Sequence, residues 1–242
     1  MIYPIFASIC VSLISLAGAF FLVSRKKTFQ NLENLTGFAA GVMLTLGILD
    51  LLPEAFEADV SGFAPYAILI SIVIFFFLER TAIWYHHHHN SHLPHPTVFM
   101  VLFGDGIHNF LDGLAIAAAF SVSVPTGVVT TLAIAAHELP SEFADFVVLL
   151  KKGLAPSKAL LFNFISGLAC ILGVVFGNLL ISKVAGSEAI LLALAAGTFL
   201  YIPLSDLIPE LHADAAKTKN KSGMFFVFGI LVIVILLTFV SE

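Results

Sequence analysis

Long apolar runs, separated by short polar or charged breaks, make up nearly the whole chain. They fall at roughly 3–23, 35–57, 65–85, 97–120, 125–150, 156–181, 187–212 and 222–241. Each is about the 20 residues an α-helix needs to cross the hydrocarbon core of a bilayer. The runs are continuously apolar, whereas barrel strands would alternate over about ten residues, so helices are predicted. The breaks hold turn and charge signals: Arg25-Lys26-Lys27, Asp59 to Gly62, His86 to Pro96, Val124-Pro125, Lys151-Lys152-Gly153, Lys183 to Ser187 and Lys217 to Lys221. The pattern predicts an all-α polytopic membrane protein of eight transmembrane helices, one domain over residues 1–242, with a His-rich loop at 86–96. The first run begins at Met1 without a basic leader, so it reads as the first span and not as a cleaved signal.

Composition agrees. Hydrophobic residues make up 59% and charged residues 11%, against about 25% charged in a soluble domain. The basic residues are few and clustered, which excludes nucleic acid as a partner and leaves the lipid bilayer. Cys10 and Cys170 lie inside apolar runs and read as small buried hydrophobes, not as a disulfide framework or a thiolate metal site.

The placement of Lys and Arg predicts orientation. Arg25, Lys26, Lys27, Arg80, Lys151, Lys152, Lys158, Lys217, Lys219 and Lys221 belong to the odd-numbered loops and their flanks; the even loops hold only Lys183. The odd loops are therefore expected in the cytoplasm and both termini outside, in a multi-pass protein of the plasma or inner membrane. An internal echo fits that topology. Asp50-Leu51-Leu52-Pro53-Glu54 in the second run and Asp206-Leu207-Ile208-Pro209-Glu210 in the seventh share one pattern and run in opposite directions. Antiparallel copies are the mark of an inverted repeat, which places a binding site at the membrane midplane.

Ionisable side chains at bilayer depth cost about 2.5–3.5 kcal/mol each on insertion scales, so they signal function. The fourth run holds Asp105, His108, Asn109 and Asp112; the fifth holds His137, Glu138, Ser141, Glu142 and Asp145. Positions i, i+1 and i+4 of a helix share one sector. Imidazole nitrogens mixed with carboxylate and amide oxygens suit borderline divalent metals better than Ca or Mg, and without a thiol Cu(I) is disfavoured. A divalent cation also offsets carboxylates that are costly to bury alone. Pro140 removes one backbone donor and should bend the fifth span, freeing a carbonyl near Ala136. Asn163, with Ser166 and Gly167, gives the sixth span a small polar face within reach of a metal.

His108-Asn109-Phe110-Leu111-Asp112-Gly113 followed by His137-Glu138-Leu139-Pro140-Ser141-Glu142-Phe143-Ala144-Asp145 resembles the ZIP family of divalent-metal carriers, closest to the subfamily whose fifth helix reads HExPHExGD. The likeness extends over nearly the whole chain. It implies a carrier that moves zinc, or related iron, manganese or cadmium, into the cytoplasm, and a homodimer. It also implies a two-metal site. His108, Asp112 and His137 would be primary ligands of the first metal; Asn109, Glu138 and Asn163 would line the second, with Asp112 bridging. Two positions depart from the pattern: Ser141 stands where it has His, and Ala144 where it has Gly. Serine is a poor zinc ligand, so water or Glu142 is expected in its place.

Other residues have two readings. Asp50 and Glu54 read as an entrance relay or a solvated helix end, and Asp206, Glu210 and His212 as an exit relay or the same. Asp105 and Asp145 read as partners that orient a histidine or as residues beside the path. Glu79-Arg80 reads as an interfacial pair. His86, His87, His88, His89, His92 and His95 read as a cytoplasmic metal sink or as a plain polar loop. An HExxH protease is set aside because Ser141 holds the second ligand position. The chain is thus read as a carrier and not an enzyme, with a metal channel or membrane metal sensor as the alternative.

Overall fold

The structure, a computed structural model, describes residues 2–24, 32–88, 95–151, 153–218 and 221–240. Among these residues every regular element is helical. The helices are α1 (Ile2–Ser24), α2 (Leu32–Leu46), α3 (Leu52–Ala58), α4 (Ala64–His88), α5 (His95–Val122), α6 (Val124–Lys151), α7 (Pro156–Gly167), α8 (Ala169–Lys183), α9 (Ser187–Ile202), α10 (Ile208–Thr218) and α11 (Lys221–Val240). Five stretches are long and apolar enough to cross a membrane: Glu33–Ala58, Ala64–Thr81, Pro156–Lys183, Ser187–Ala213 and Lys221–Phe239. Three of the charged sequence breaks lie wholly or partly outside the described residues, at Arg25, Lys26 and Lys27, at Lys152 and at Lys219.

Two π-helical turns interrupt the regular helices, Gly47–Leu51 between α2 and α3 and Pro203–Leu207 between α9 and α10. Each ends with an i to i−5 bond, the Leu52 N–H donating to the Gly47 carbonyl and the Ile208 N–H to the Pro203 carbonyl. Their register is identical: Asp50 and Asp206 are fourth in their turns, and Pro53 and Pro209 follow at the second residue of the next helix. A proline has no N–H and its ring crowds the carbonyl four residues back. A turn widened by one residue accommodates both effects. At Pro140, where the sequence predicts a bend, α6 keeps its α-helical assignment from Val124 to Lys151. The widening belongs to the other two prolines.

The helices pack in two groups. In one, α5 lies along α8 and α6, and α1 runs against α6, α7 and α8; in the other, α2 pairs with α11 and α4 with α9. Close approach within each group rests on glycine. A Cβ at Gly113 of α5 would collide with the Cys170 carbonyl of α8, and one at Gly41 of α2 with the Phe226 carbonyl of α11. Small residues let helices associate where apolar burial alone gives no advantage over lipid. The groups meet where α2 packs on α6 and α5 on α9, around a core that includes Met43, Leu46, Ile116, Ile134, Leu192 and Phe199, each fully buried.

Between α3 and α4 the chain turns on Asp59. Its Oδ2 accepts the Ala64 N–H at 2.7 Å, and its Oδ1 accepts the Ser61 N–H at 2.9 Å and the Ser61 hydroxyl at 2.7 Å. The Ala64 bond, then those from Ser61, hold this carboxyl down at about 2.

Candidate metal site

One residue, Ser123, separates α5 from α6. Its hydroxyl oxygen caps α6 by accepting the Thr126 N–H at 3.1 Å. So short a connection forces the two helices to lie side by side in opposite directions. Asp112 is ten residues before the end of α5 and His137 thirteen into α6, about 15 and 20 Å along the two axes, so the polar segments meet at similar depth.

Four side chains converge there: His108, Asp112, His137 and Glu138 each offer one ligand atom, all within 4.8 Å of one another. The two His Nε2 atoms are 3.1 Å apart. His137 Nε2 lies 3.1 Å from Asp112 Oδ2 and 3.8 Å from Glu138 Oε1; His108 Nε2 lies 3.6 and 3.4 Å from the same two atoms. A tetrahedral zinc ion with bonds of about 2.0–2.1 Å has ligand–ligand edges of about 3.3 Å, so the set is close to the size of a coordination tetrahedron. His137 Nδ1 sits 3.2 Å from the Ala133 carbonyl oxygen. Donating its proton there leaves the Nε2 lone pair facing the other ligands, the orientation a metal requires. Both Asp112 oxygens lack a hydrogen-bond partner although the side chain is 1% exposed. Nitrogen lone pairs and carboxylate oxygens converging in a dry place are stable together when a cation sits between them.

Sequence reasoning groups His108, Asp112 and His137 and puts Glu138 elsewhere; in the structure Glu138 stands with the three. Ser141, one turn on, is half-buried and brings neither imidazole nor carboxylate to the group. Glu142 is turned toward Gly167 of α7: its Oε1 lies 3.9 Å from where a Cβ on Gly167 would stand.

A second set of oxygens lies beside the first. Asn109 Nδ2 donates to Asp105 Oδ1 at 2.9 Å, and Asn163 Nδ2 donates to the Glu142 carbonyl at 3.1 Å. Both amide oxygens are thereby buried without a partner, as are both Glu142 carboxylate oxygens and Asp105 Oδ2. Glu138 is a charged neighbour of Asp105, Glu142 and Asp145 alike, which ties the two sets together.

Cavities open toward opposite ends of α5. One, of about 480 Å³, is lined by Asp50, Glu54, Ser123 and Thr126. The other, of about 500 Å³, is lined by Phe75, Glu79, Phe103, Tyr201, Ser205 and Asp206. Glu210 and His212 are exposed beyond it. The four ligands lie between, and toward the first cavity the packing is shut. The void beside Asp112 is about 10 Å³, room for one water at most, and Ile134, Thr130 and Phe199 fill the interior. Sequence reasoning names Glu79 and Asp206 of the second cavity's lining but not Phe75, Phe103 or Tyr201. Glu79 accepts the Tyr201 hydroxyl at 2.6 Å, and Arg80 lies over the Phe76 ring at 6.0 Å; the apolar sequence around them gives no periodic signal. Of the loop histidines, His86, His87 and His88 end α4 and His95 begins α5, while His89 and His92 lie outside the described residues.

A family model described as "ZIP Zinc transporter" matches residues 1–98 and 95–237. The chain belongs to the ZIP family. That family is one of transporters and not enzymes, in agreement with the sequence reading. Over 128 residues the chain is 46% identical to "Metal cation symporter ZIP14" of Xenopus tropicalis, covering 53% of this chain and 27% of that protein. It is 43% identical over 130 residues to the ZIP14 protein of Homo sapiens, covering 54% and 26%. It is 40% identical over 146 residues to "Zinc transporter ZIP10" of Danio rerio, covering 56% and 17%. The matched segments thus span about a quarter or less of these ZIP relatives.

Proposed function

We propose that this ZIP protein carries a divalent metal, zinc foremost, across a cell membrane into the cytoplasm by alternating access, and that His108, Asp112, His137 and Glu138 hold the ion at midplane. The convergence of these four ligands from antiparallel helices, at tetrahedral spacing and between two opposed cavities, is the observation that carries the reading. Asn109, Asn163, Asp105 and Glu142 form the neighbouring oxygen-only site for a second metal, with Ser141 and Asp145 at its margin. The names of the ZIP14 and ZIP10 relatives, a metal cation symporter and a zinc transporter, support metal as the cargo.

In this proposal the chain is a single domain of eight spans, α2 with α3, α7 with α8 and α9 with α10 each making one. Both termini lie outside, and the protein works as a homodimer. The matched π turns at Asp50 and Asp206 support the inverted repeat. Metal enters past Asp50 and Glu54 and leaves past Asp206, Glu210 and His212, and the loop histidines act as a weak cytoplasmic sink. Every proposed ligand belongs to the group of α1 and α5–α8, so the metal travels with that group as it shifts against α2–α4 and α9–α11. The closed packing on the Asp50 side and the exposure of His108, at 16% against 1% or less for the other three, support an inward-facing but occluded state.

The test is uptake of radiolabelled zinc into proteoliposomes, competed by Fe, Mn, Cd and Co, with and without a pH gradient. A carrier gives saturable uptake with a defined competition order. Single-channel currents would instead support the channel reading, and metal binding without flux the sensor reading.

A further inference from the structure

Resting on the reading of His108 as a ligand, we propose that Phe75 is the inner gate between the metal and the 500 Å³ cavity, and that the Tyr201–Glu79 hydrogen bond is the latch that keeps it shut. The open side of the ligand group is His108, and what stands there is an aromatic ring. The Phe75 ring meets His108 edge to face, with centroids 6.2 Å apart and planes at 86°. Phe75 itself is 9% exposed and belongs to the cavity wall. A phenyl ring has no lone pair to hand a cation onward, so an ion passing from His108 to the cavity requires the ring to move aside.

The ring is backed by Tyr201, whose centroid lies 6.1 Å from that of Phe75. Tyr201 is the last residue but one of α9, two positions before the π turn Pro203–Leu207 begins. Its hydroxyl donates to Glu79 Oε2 at 2.6 Å. Phe75 and Glu79 are four residues apart on α4, on one face of consecutive turns. One tyrosine therefore packs on the gate and is tied to the helix that bears it. The bond is to a carboxylate, the stronger class of hydrogen bond, and it is made across the α4–α9 pair. Releasing it frees the Tyr201 ring to turn and the Phe75 ring to follow. Past the gate the ion meets Asp206, in the same cavity.

A gate speeds or slows passage in both directions and leaves equilibrium affinity alone, whereas damage to a site weakens affinity. The full chain, purified in detergent and loaded with Co²⁺, is mixed with excess EDTA, and release is followed by the cobalt absorption band; the dissociation constant is measured separately. Phe75→Ala should release cobalt at least about tenfold faster with the dissociation constant unchanged. Tyr201→Phe keeps the ring and loses the latch, and should release it about three- to tenfold faster. Glu79→Gln, whose amide oxygen still accepts the bond, should stay near the wild-type rate. Release at the wild-type rate from Phe75→Ala overturns the gate, and from Tyr201→Phe the latch. A dissociation constant that rises in step with release overturns both, since it makes the residues structural; if Phe75→Ala does not fold, Tyr201→Phe alone decides. Failure of the wild type to bind cobalt in a His137-dependent way would instead overturn the metal-site reading.

Discussion

At the scale of single residues, the orientation of His137 sets the chemistry. Its Nδ1 faces the Ala133 carbonyl, so in the proposed site Nε2 would bind a metal only while it is unprotonated. The same requirement holds for His108. In the proposed site zinc affinity should therefore fall as pH falls. Calorimetric titration with zinc at a series of pH values should show that decline; a flat profile would count against histidine ligation. Ser141 is the other residue of consequence. The sequence locates the departure from the HExPHExGD pattern, and in the structure Glu142 lies toward Gly167, apart from the group of His108, Asp112, His137 and Glu138. The proposed site then has two nitrogens and two carboxylates from the protein.

At the scale of elements, the ends of the helices are legible in the sequence because particular residues set them. Ser123 caps α6, Pro156 opens α7, and Gly186 takes φ of 77° before α9, a left-handed conformation that suits glycine. The π turns are not legible. Pro53, Pro140 and Pro209 look alike along the chain, yet only two of them follow a widened turn, because helix type depends on which neighbours can take up the displaced carbonyls. The side of a nearly all-apolar helix is equally hidden, which is why the closeness of Glu138 to His108, Asp112 and His137 and the Phe75–Glu79 face of α4 go unseen. Packing at this scale predicts a stability effect remote from the metal. A side chain at Gly41 has no room against the Phe226 carbonyl. Gly41→Leu should destabilise the α2–α11 pair by about 1–3 kcal/mol, measured as lower thermal stability in detergent, with the affinity for cobalt retained. Wild-type stability would show that this seam is loosely packed.

For the whole molecule, polarity and packing divide the same way. All candidate ligands belong to the helix group of α1 and α5–α8; the paired Asp-x-x-Pro-Glu segments belong to the other, with their π turns in one register. A cation bound between the groups would have to exchange ligands as they slide. A cation held by one group alone keeps its coordination and is moved with it, which permits transport without releasing the ion into an apolar interior. The cavities at opposite ends of α5, of which only one approaches a ligand, fit one half of such a cycle. The central claim is that the four converging residues are the transport site. It is tested most directly by zinc uptake into proteoliposomes containing wild type, Asp112→Ala or His137→Ala at equal reconstituted protein. The account predicts saturable uptake by wild type and uptake at the level of empty liposomes for both variants, and near-normal uptake by both would contradict it.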